Sequence, residues 1–229
     1  MRGAIAVAAA GALLAACAVL SAGEDPPKLY TLTPKNTFDA SLRPATWQIV
    51  VDPPTASAYL NTSRIAVAMT PTSADYFAQA AWTDRAPLMV QTLMVESLES
   101  SRRIVGVGRD AVSVRPHYVL QSELREFQAE YFHGQPPLVH VRIVARLVRQ
   151  SDRHIIASRG FERCVRAGAD KVPVVVQGFD EALGWVLKRL VTWTVSVPPP
   201  RPPAEGEAPT AQREPATSDE SDGCPRPSG

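Results

Sequence analysis

The sequence lacks the short signatures on which most enzyme chemistry hangs. It has no Gly-x-Ser-x-Gly elbow, no His-Glu-x-x-His, no Cys-x-x-Cys and no P-loop. Histidine is scarce: His117, His133, His140 and His154 are the whole complement, and none shares its own element with another His, Cys or carboxylate at metal-ligand spacing. Loop and strand-end surface positions are the expected role of all four, so no metal site is expected. Gly106-Val107-Gly108 opens like a dinucleotide fingerprint, but Arg109 to Val114 reads as turn and strand instead of a helix start. Without a helix N-terminus to hold the pyrophosphate, these glycines are expected to form a turn. A charge excess of one sign is also missing. The total of +1 and pI near 7.8 exclude the strong positive field of a nucleic-acid binder. No catalytic residue presents itself, and the chain is expected not to be an enzyme.

What is abundant is proline. Of 21 prolines, nine fall between Pro198 and Gly229, a stretch with no Val, Ile, Leu, Met, Phe, Trp or Tyr. Without apolar surface to bury, residues 198–229 are expected to stay disordered or extended. Three arginines against six acidic residues give this tail a net charge of −3, while residues 17–197 carry +3. The neutral total conceals a mildly basic folding region.

The front of the chain reads MRGAIAVAAAGALLAACAVLSA, one arginine and then an Ala-rich apolar run that ends before Glu24 and Asp25. A run of roughly 19 residues fits either an uncleaved membrane helix or a cleaved signal. Leu14-Ala15-Ala16-Cys17 decides, because a branched residue, two small residues and then a cysteine resemble the bacterial lipobox. That resemblance implies a signal peptide over residues 1–16, a diacylated Cys17 and often an acylated new amine. Acyl chains such as palmitate contribute about 0.8 kcal/mol per buried methylene, and two or three of them anchor stably. This covalent lipid on Cys17 is the only non-protein group expected, and no cofactor is. Ala18 after the cysteine, where Asp would divert sorting, resembles the outer-membrane default of Gram-negative envelopes, so the domain is expected to face the periplasm. A tether over residues 17–28 follows, broken by Glu24-Asp25-Pro26-Pro27. In an oxidising compartment Cys164 and Cys224 could pair. A strand cysteine is more often a buried small hydrophobe, and the sequence leaves the bond open.

The folding region, residues 29–197, begins with strand-like segments at Tyr30–Thr33, Trp47–Val51 and Arg64–Met69. Val90, Leu93, Met94, Ser97, Leu98 and Ser101 recur at helical spacing from Arg85 onward, with Thr83 or Asp84 as cap and Pro87 in the first turn. Val139, Val141, Ile143, Ala145 and Leu147 then alternate with His140, Arg142, Val144, Arg146 and Val148, the pattern of a strand with one apolar face. Tyr118, Leu120 and Leu124 precede it on one parity and Phe127 and Ala129 on the other, which predicts a bulge near Arg125 or Glu126. A turn at Gln150–Arg153 leads to a strand from His154 to about Val165. The spacing of Phe179, Ala182, Leu183, Val186, Leu190 and Trp193 predicts a closing helix from about Val174 or Phe179 to Thr194. The order implies an α+β fold: an antiparallel sheet with a three-strand meander and two helices packed on one face.

Two features could bind a partner. A basic run on the hairpin includes Arg142 and Arg146, and the aromatic loop from Asp75 to Trp82 contains Tyr76, Phe77 and Trp82. A solvated sheet face and a cap on the core are the commoner uses of such patterns. From Tyr30 to Val195 the order of motifs resembles the ABC-type transport auxiliary lipoproteins: Tyr30-Thr31-Leu32, Arg64-Ile65-Ala66-Val67, Tyr76 to Trp82, the helix through Leu98-Glu99-Ser100, Ser158-Arg159-Gly160-Phe161 and the helix to Trp193. The resemblance implies a non-enzymatic docking or conduit subunit beside an ABC transporter whose partner is an MCE-domain protein, in a system moving lipids between membranes. A homo-oligomer stays open. The long acidic tail departs from the family pattern. The alternative is a structural or assembly lipoprotein bound to another envelope complex, and a lipid-modifying hydrolase is the third class.

Overall fold

The computed structural model describes residues 26–110, 116–197 and 218–225. The lipobox and Cys17 lie outside them. Among the described residues the elements are β1 (Lys28–Tyr30), β2 (Ala45–Val51), β3 (Thr55–Ala56), β4 (Arg64–Ala68), β5 (Asp75–Trp82), α1 (Ala86–Ser100), β6 (Ile104–Gly108), β7 (Tyr118–Glu130), β8 (Leu138–Arg149), β9 (Ile155–Arg166), α2 (Val172–Ser196) and β10 (Ser218–Asp222). The class is α+β. No helix among these residues is long and apolar enough to cross a membrane.

The alternating segments form the expected meander, with β7, β8 and β9 antiparallel in sequence order. The sheet as a whole is mixed and larger than a meander, running β1-β5-β4-β7-β8-β9-β10. One edge of β7 is taken by β8, and the other is shared in relay by β2 at Tyr118–Leu120, β3 at Glu123–Leu124 and β4 at Gln128–Glu130, all parallel. Apolar alternation shows that a segment is a strand but not which way its neighbour runs, so these pairings left no trace in the pattern.

Two strands occupy stretches read as loop or turn. Residues 75–82 form β5, whose halves have different partners: Asp75 and Tyr76 pair with Val67 and Ala66, while Ala80 to Trp82 lie beside Lys28 to Tyr30. Gln79 between them has φ 51, a left-handed turn of the backbone that breaks the alternation. Gly106 and Gly108 lie in β6, which among the described residues pairs with β2 alone. An edge strand tolerates glycine because one flank needs no partner.

Both helices cover the same face of the sheet, over one core. Leu93, Met94 and Leu98 of α1 are buried there, as are Phe179, Leu183, Val186 and Leu190 of α2. α1 starts without a side-chain cap; its first amide, on Ala86, donates to the Thr62 carbonyl instead of to Thr83 or Asp84. Pro87 sits in the first turn, as its missing N–H allows. α2 begins earlier than the apolar stripe suggests, at Val172, and passes so close to β8 that a Cβ at Gly178 would stand 3.0 Å from Val139 Cγ2. Trp82, Phe127 and Phe179 form a three-ring cluster with centroids 5.0 to 5.6 Å apart.

Residues 218–225 belong to the stretch expected to be disordered or extended, the rest of which lies outside the described residues. Residues 218–222 form β10, parallel to the outer edge of β9, and Cys224 is disulfide-bonded to Cys164 with a Cα–Cα distance of 4.7 Å. Glu220 pairs with Arg159 and Arg189, and Asp222 with Arg163. None of this uses apolar burial, which is why a segment without a large hydrophobe still docks. Backbone hydrogen bonds, ion pairs and one covalent bond suffice.

Candidate functional site

The helices cover one face of the meander; the charged chemistry collects on the other. The bulge between Leu124 and Glu126 decides which residues reach it. Up to Leu124 the even-numbered positions of β7 face the core. The extra residue, Arg125, shifts the parity, so Phe127 and Ala129 turn inward and Glu126, Gln128 and Glu130 turn outward. Register then sets Glu126, Arg142 and Glu162 in one cross-strand row and Gln128, His140 and Cys164 in the next.

His140 is the centre of the group. Its Nδ1 lies 2.8 Å from Glu130 Oε1 and its Nε2 lies 2.7 Å from Glu162 Oε1. Gln128 Nε2 donates to Glu130 Oε1 at 3.0 Å, and His133 Nε2 stands 3.3 Å from the other Glu130 oxygen. The side chains are little exposed: 5% for Glu130, 16% for His140 and 19% for Glu162. A cavity of about 420 Å³ opens beside them, lined by Glu126, Glu130, His140, Tyr59, Phe132 and the turn at Pro71–Ala74.

Burial and charge act in opposite directions here. Burial alone would depress the His140 imidazole, but the hydrogen bond and charge of Glu130, with Glu162 and Glu126, hold it above its ordinary value of 6.5. Burial would raise Glu130, yet hydrogen bonds from His140 and Gln128 bring it below 4.5. For Glu126 burial prevails over the nearby positive charges of His140 and Arg142, and its carboxyl is raised. A raised imidazole contributes stability in full below pH 6.5 and loses it as pH climbs through the folded value. A lowered carboxylate contributes above pH 4.5 and loses that as pH falls. The two overlap between 4.5 and 6.5. Glu126, ionised at a cost, loses stability as pH climbs from 4.5 through its raised folded value, in the same direction as His140, so the part of the fall that His140→Gln removes is the diagnostic one. Urea unfolding across this range should show the whole fall in the wild type and a shallower one in His140→Gln; an unchanged slope in the variant would refute the assignment.

The positions singled out from the sequence are dispersed. Arg142 and Arg146 do lie on this outer face, opposite Glu126 and Gln121. On β9, Arg159 and Arg163 lie on the helix side and meet the tail carboxylates, while Arg166, on the same parity as Glu162 and Cys164, has its Nη1 donating to the carbonyls of His133 and Pro136. Tyr76 is half-buried, its ring 3.8 Å under the Arg64 guanidinium carbon and its hydroxyl donating to the Tyr59 carbonyl, so it supports a residue that lines the cavity. Phe77 packs edge-on against Tyr131. Trp82 is 1% exposed and belongs to the core, where it has no surface to offer a partner. In the sequence Glu126 marks only the bulge, Glu130 and Glu162 carry no site signal and His140 reads as a surface residue, because ligand spacing along one element says nothing of strands paired side by side. Aligning β7 with β8 through the predicted bulge was the available signal.

A second groove, about 720 Å³, lies between residues 33–36 and α2, where Asp180 accepts hydrogen bonds from the amide and hydroxyl of Thr33. The ring of Trp185 at its wall lies near the guanidinium groups of Arg163 and Arg189, 5.9 and 5.6 Å from its centroid.

These features define an α+β domain with one sheet face under helices and a half-buried charged cluster on the other. The chain belongs to the family of ABC-type transport auxiliary lipoprotein components, whose model matches residues 30–191. A crystal structure of a Xanthomonas campestris protein is similar with a TM-score of 0.70 and 28% identity, covering 73% of this chain and 94% of that one. A solved uncharacterized protein has the same fold at 16% identity and a TM-score of 0.58, covering 75% of this chain and 100% of that one. An uncharacterized Bradyrhizobium diazoefficiens protein is 27% identical over 163 residues, 71% of this chain, and this chain spans 43% of its length.

Proposed function

We propose that this protein is a lipid-anchored envelope subunit that docks an ABC-type transport system and carries no catalytic step of its own. Membership of the auxiliary lipoprotein family over residues 30–191 is the observation that carries the reading. On it, acyl chains on Cys17 hold the domain at the periplasmic face of the outer membrane, and the outer sheet face with Arg142 and Arg146 meets an MCE-domain partner that passes lipid between membranes. Supporting this, the sequence offers no nucleotide-binding or nucleophile motif, so energy and cargo chemistry fall to other subunits. In-cell crosslinking with mass spectrometry should recover an MCE-domain protein from the outer-face residues. Recovery of an outer-membrane barrel or peptidoglycan machinery in its place would support an assembly lipoprotein instead. Cys17→Ala should abolish labelled palmitate incorporation and release the domain from the membrane fraction; persistent label in that variant would remove the anchor from the proposal.

A further inference from the structure

The cavity beside Glu130 holds a donor set for which a docking role has no use. Glu126, Glu130 and His140 each present a ligand atom, and these atoms lie within 4.8 Å of one another. Two of the three are already oriented by neighbours. Glu162 engages Nε2 of His140 and leaves Nδ1 turned to Glu130, the carboxylate–histidine arrangement that fixes ring orientation at metal centres. Gln128 steadies the Glu130 carboxylate from the side. The third, Glu126, makes no hydrogen bond or ion pair closer than 4 Å among the described residues; it lines the cavity with a charge that burial disfavours. The cavity leaves space for water to complete a coordination shell.

Two carboxylates match the charge of a divalent ion, and an imidazole selects a transition metal over the all-oxygen shells of calcium and magnesium. Cys164 and Cys224 also come near His140, but their sulfurs are spent in the disulfide. We propose that Glu126, Glu130 and His140 bind one divalent transition-metal ion of the zinc type, entered from the cavity, with Glu162 as the carboxylate that orients His140. The ion takes the place of the hydrogen now shared between His140 Nδ1 and Glu130, and that proton passes to solvent. Bound there, it bridges β7 and β8 on the face opposite the helices.

The test uses the full chain, kept oxidised and carrying Cys17→Ser so that no free thiol competes, titrated calorimetrically with zinc chloride. One ion per chain with micromolar affinity is expected. Glu126→Gln should weaken binding at least tenfold without lowering the metal-free melting temperature, since no hydrogen bond is lost. Glu162→Gln should weaken it by about 10- to 100-fold, the range for an outer-sphere partner. Absence of saturable binding, several weak sites per chain, or affinity unchanged in Glu126→Gln would each overturn the proposal. None of these outcomes bears on the transport reading, which the crosslinking experiment decides separately.

Discussion

Replacing Cys224 with serine should lower the free energy of unfolding by about 4 kcal/mol. The bond joins residues 60 positions apart, and closing a loop of that length removes roughly this much conformational entropy from the unfolded chain. For a domain of this size the loss corresponds to a fall of about 10 °C in melting temperature. Dithiothreitol should produce the same shift in the wild type and none in Cys224→Ser, because both act on one bond. A second consequence is local. With the bond gone, β10 is held by its backbone ladder and by the ion pairs of Glu220 and Asp222 with Arg159, Arg189 and Arg163. Exposed pairs of this kind contribute little each, so amide exchange at residues 218–222 should accelerate well before the rest of the sheet opens. Reduction that left both the melting temperature and these amides unchanged would show that the tail is not held by its cysteine.

Phe179→Ala should cost about 3 to 5 kcal/mol. The side chain is fully buried and its ring meets Trp82 at 5.2 Å and Phe127 at 5.0 Å, so one truncation empties the point where α2, β5 and β7 converge. The neighbours cannot readily fill the void, since both are rings fixed in strands. Denaturant titration should show the loss, and Trp82 emission should shift red as its edge contact disappears. Phe132→Ala makes the contrast: at 36% exposure it is expected to change stability by less than about 0.5 kcal/mol. Equal effects for the two phenylalanines would mean that the three-ring cluster is not where the core is anchored.

The elements that were legible in the sequence are those whose partners lie next to them in the chain. The meander, its bulge and both helices announce themselves through Tyr118 to Leu147 and the two apolar stripes, because alternation and helical spacing are local properties. β5 was hidden by Gln79, whose left-handed backbone puts its two halves out of phase, and β6 by glycines that its edge position tolerates. Residues 218–222 are hidden for another reason. Apolar content measures the hydrophobic drive to fold, whereas β10 is held by charges and by a bond to a cysteine far upstream. The charged cluster was invisible because Glu126, Glu130, His140 and Glu162 belong to three strands. Only their register makes them neighbours.

The relay along β7 also sets an order in time. Glu130 meets Leu138 across one turn, whereas Ile49 meets Tyr118 only after β3, β4, β5, α1 and β6 have been spanned. Closing the longer loop costs more entropy before any contact rewards it. The meander is therefore expected to form first, with the far edge of β7 open until β2, β3 and β4 arrive. In that interval the chain presents an unpaired parallel edge, the kind of surface that invites another chain to pair with it. The slow arrival of the first half of the domain is thus its window of vulnerability to aggregation.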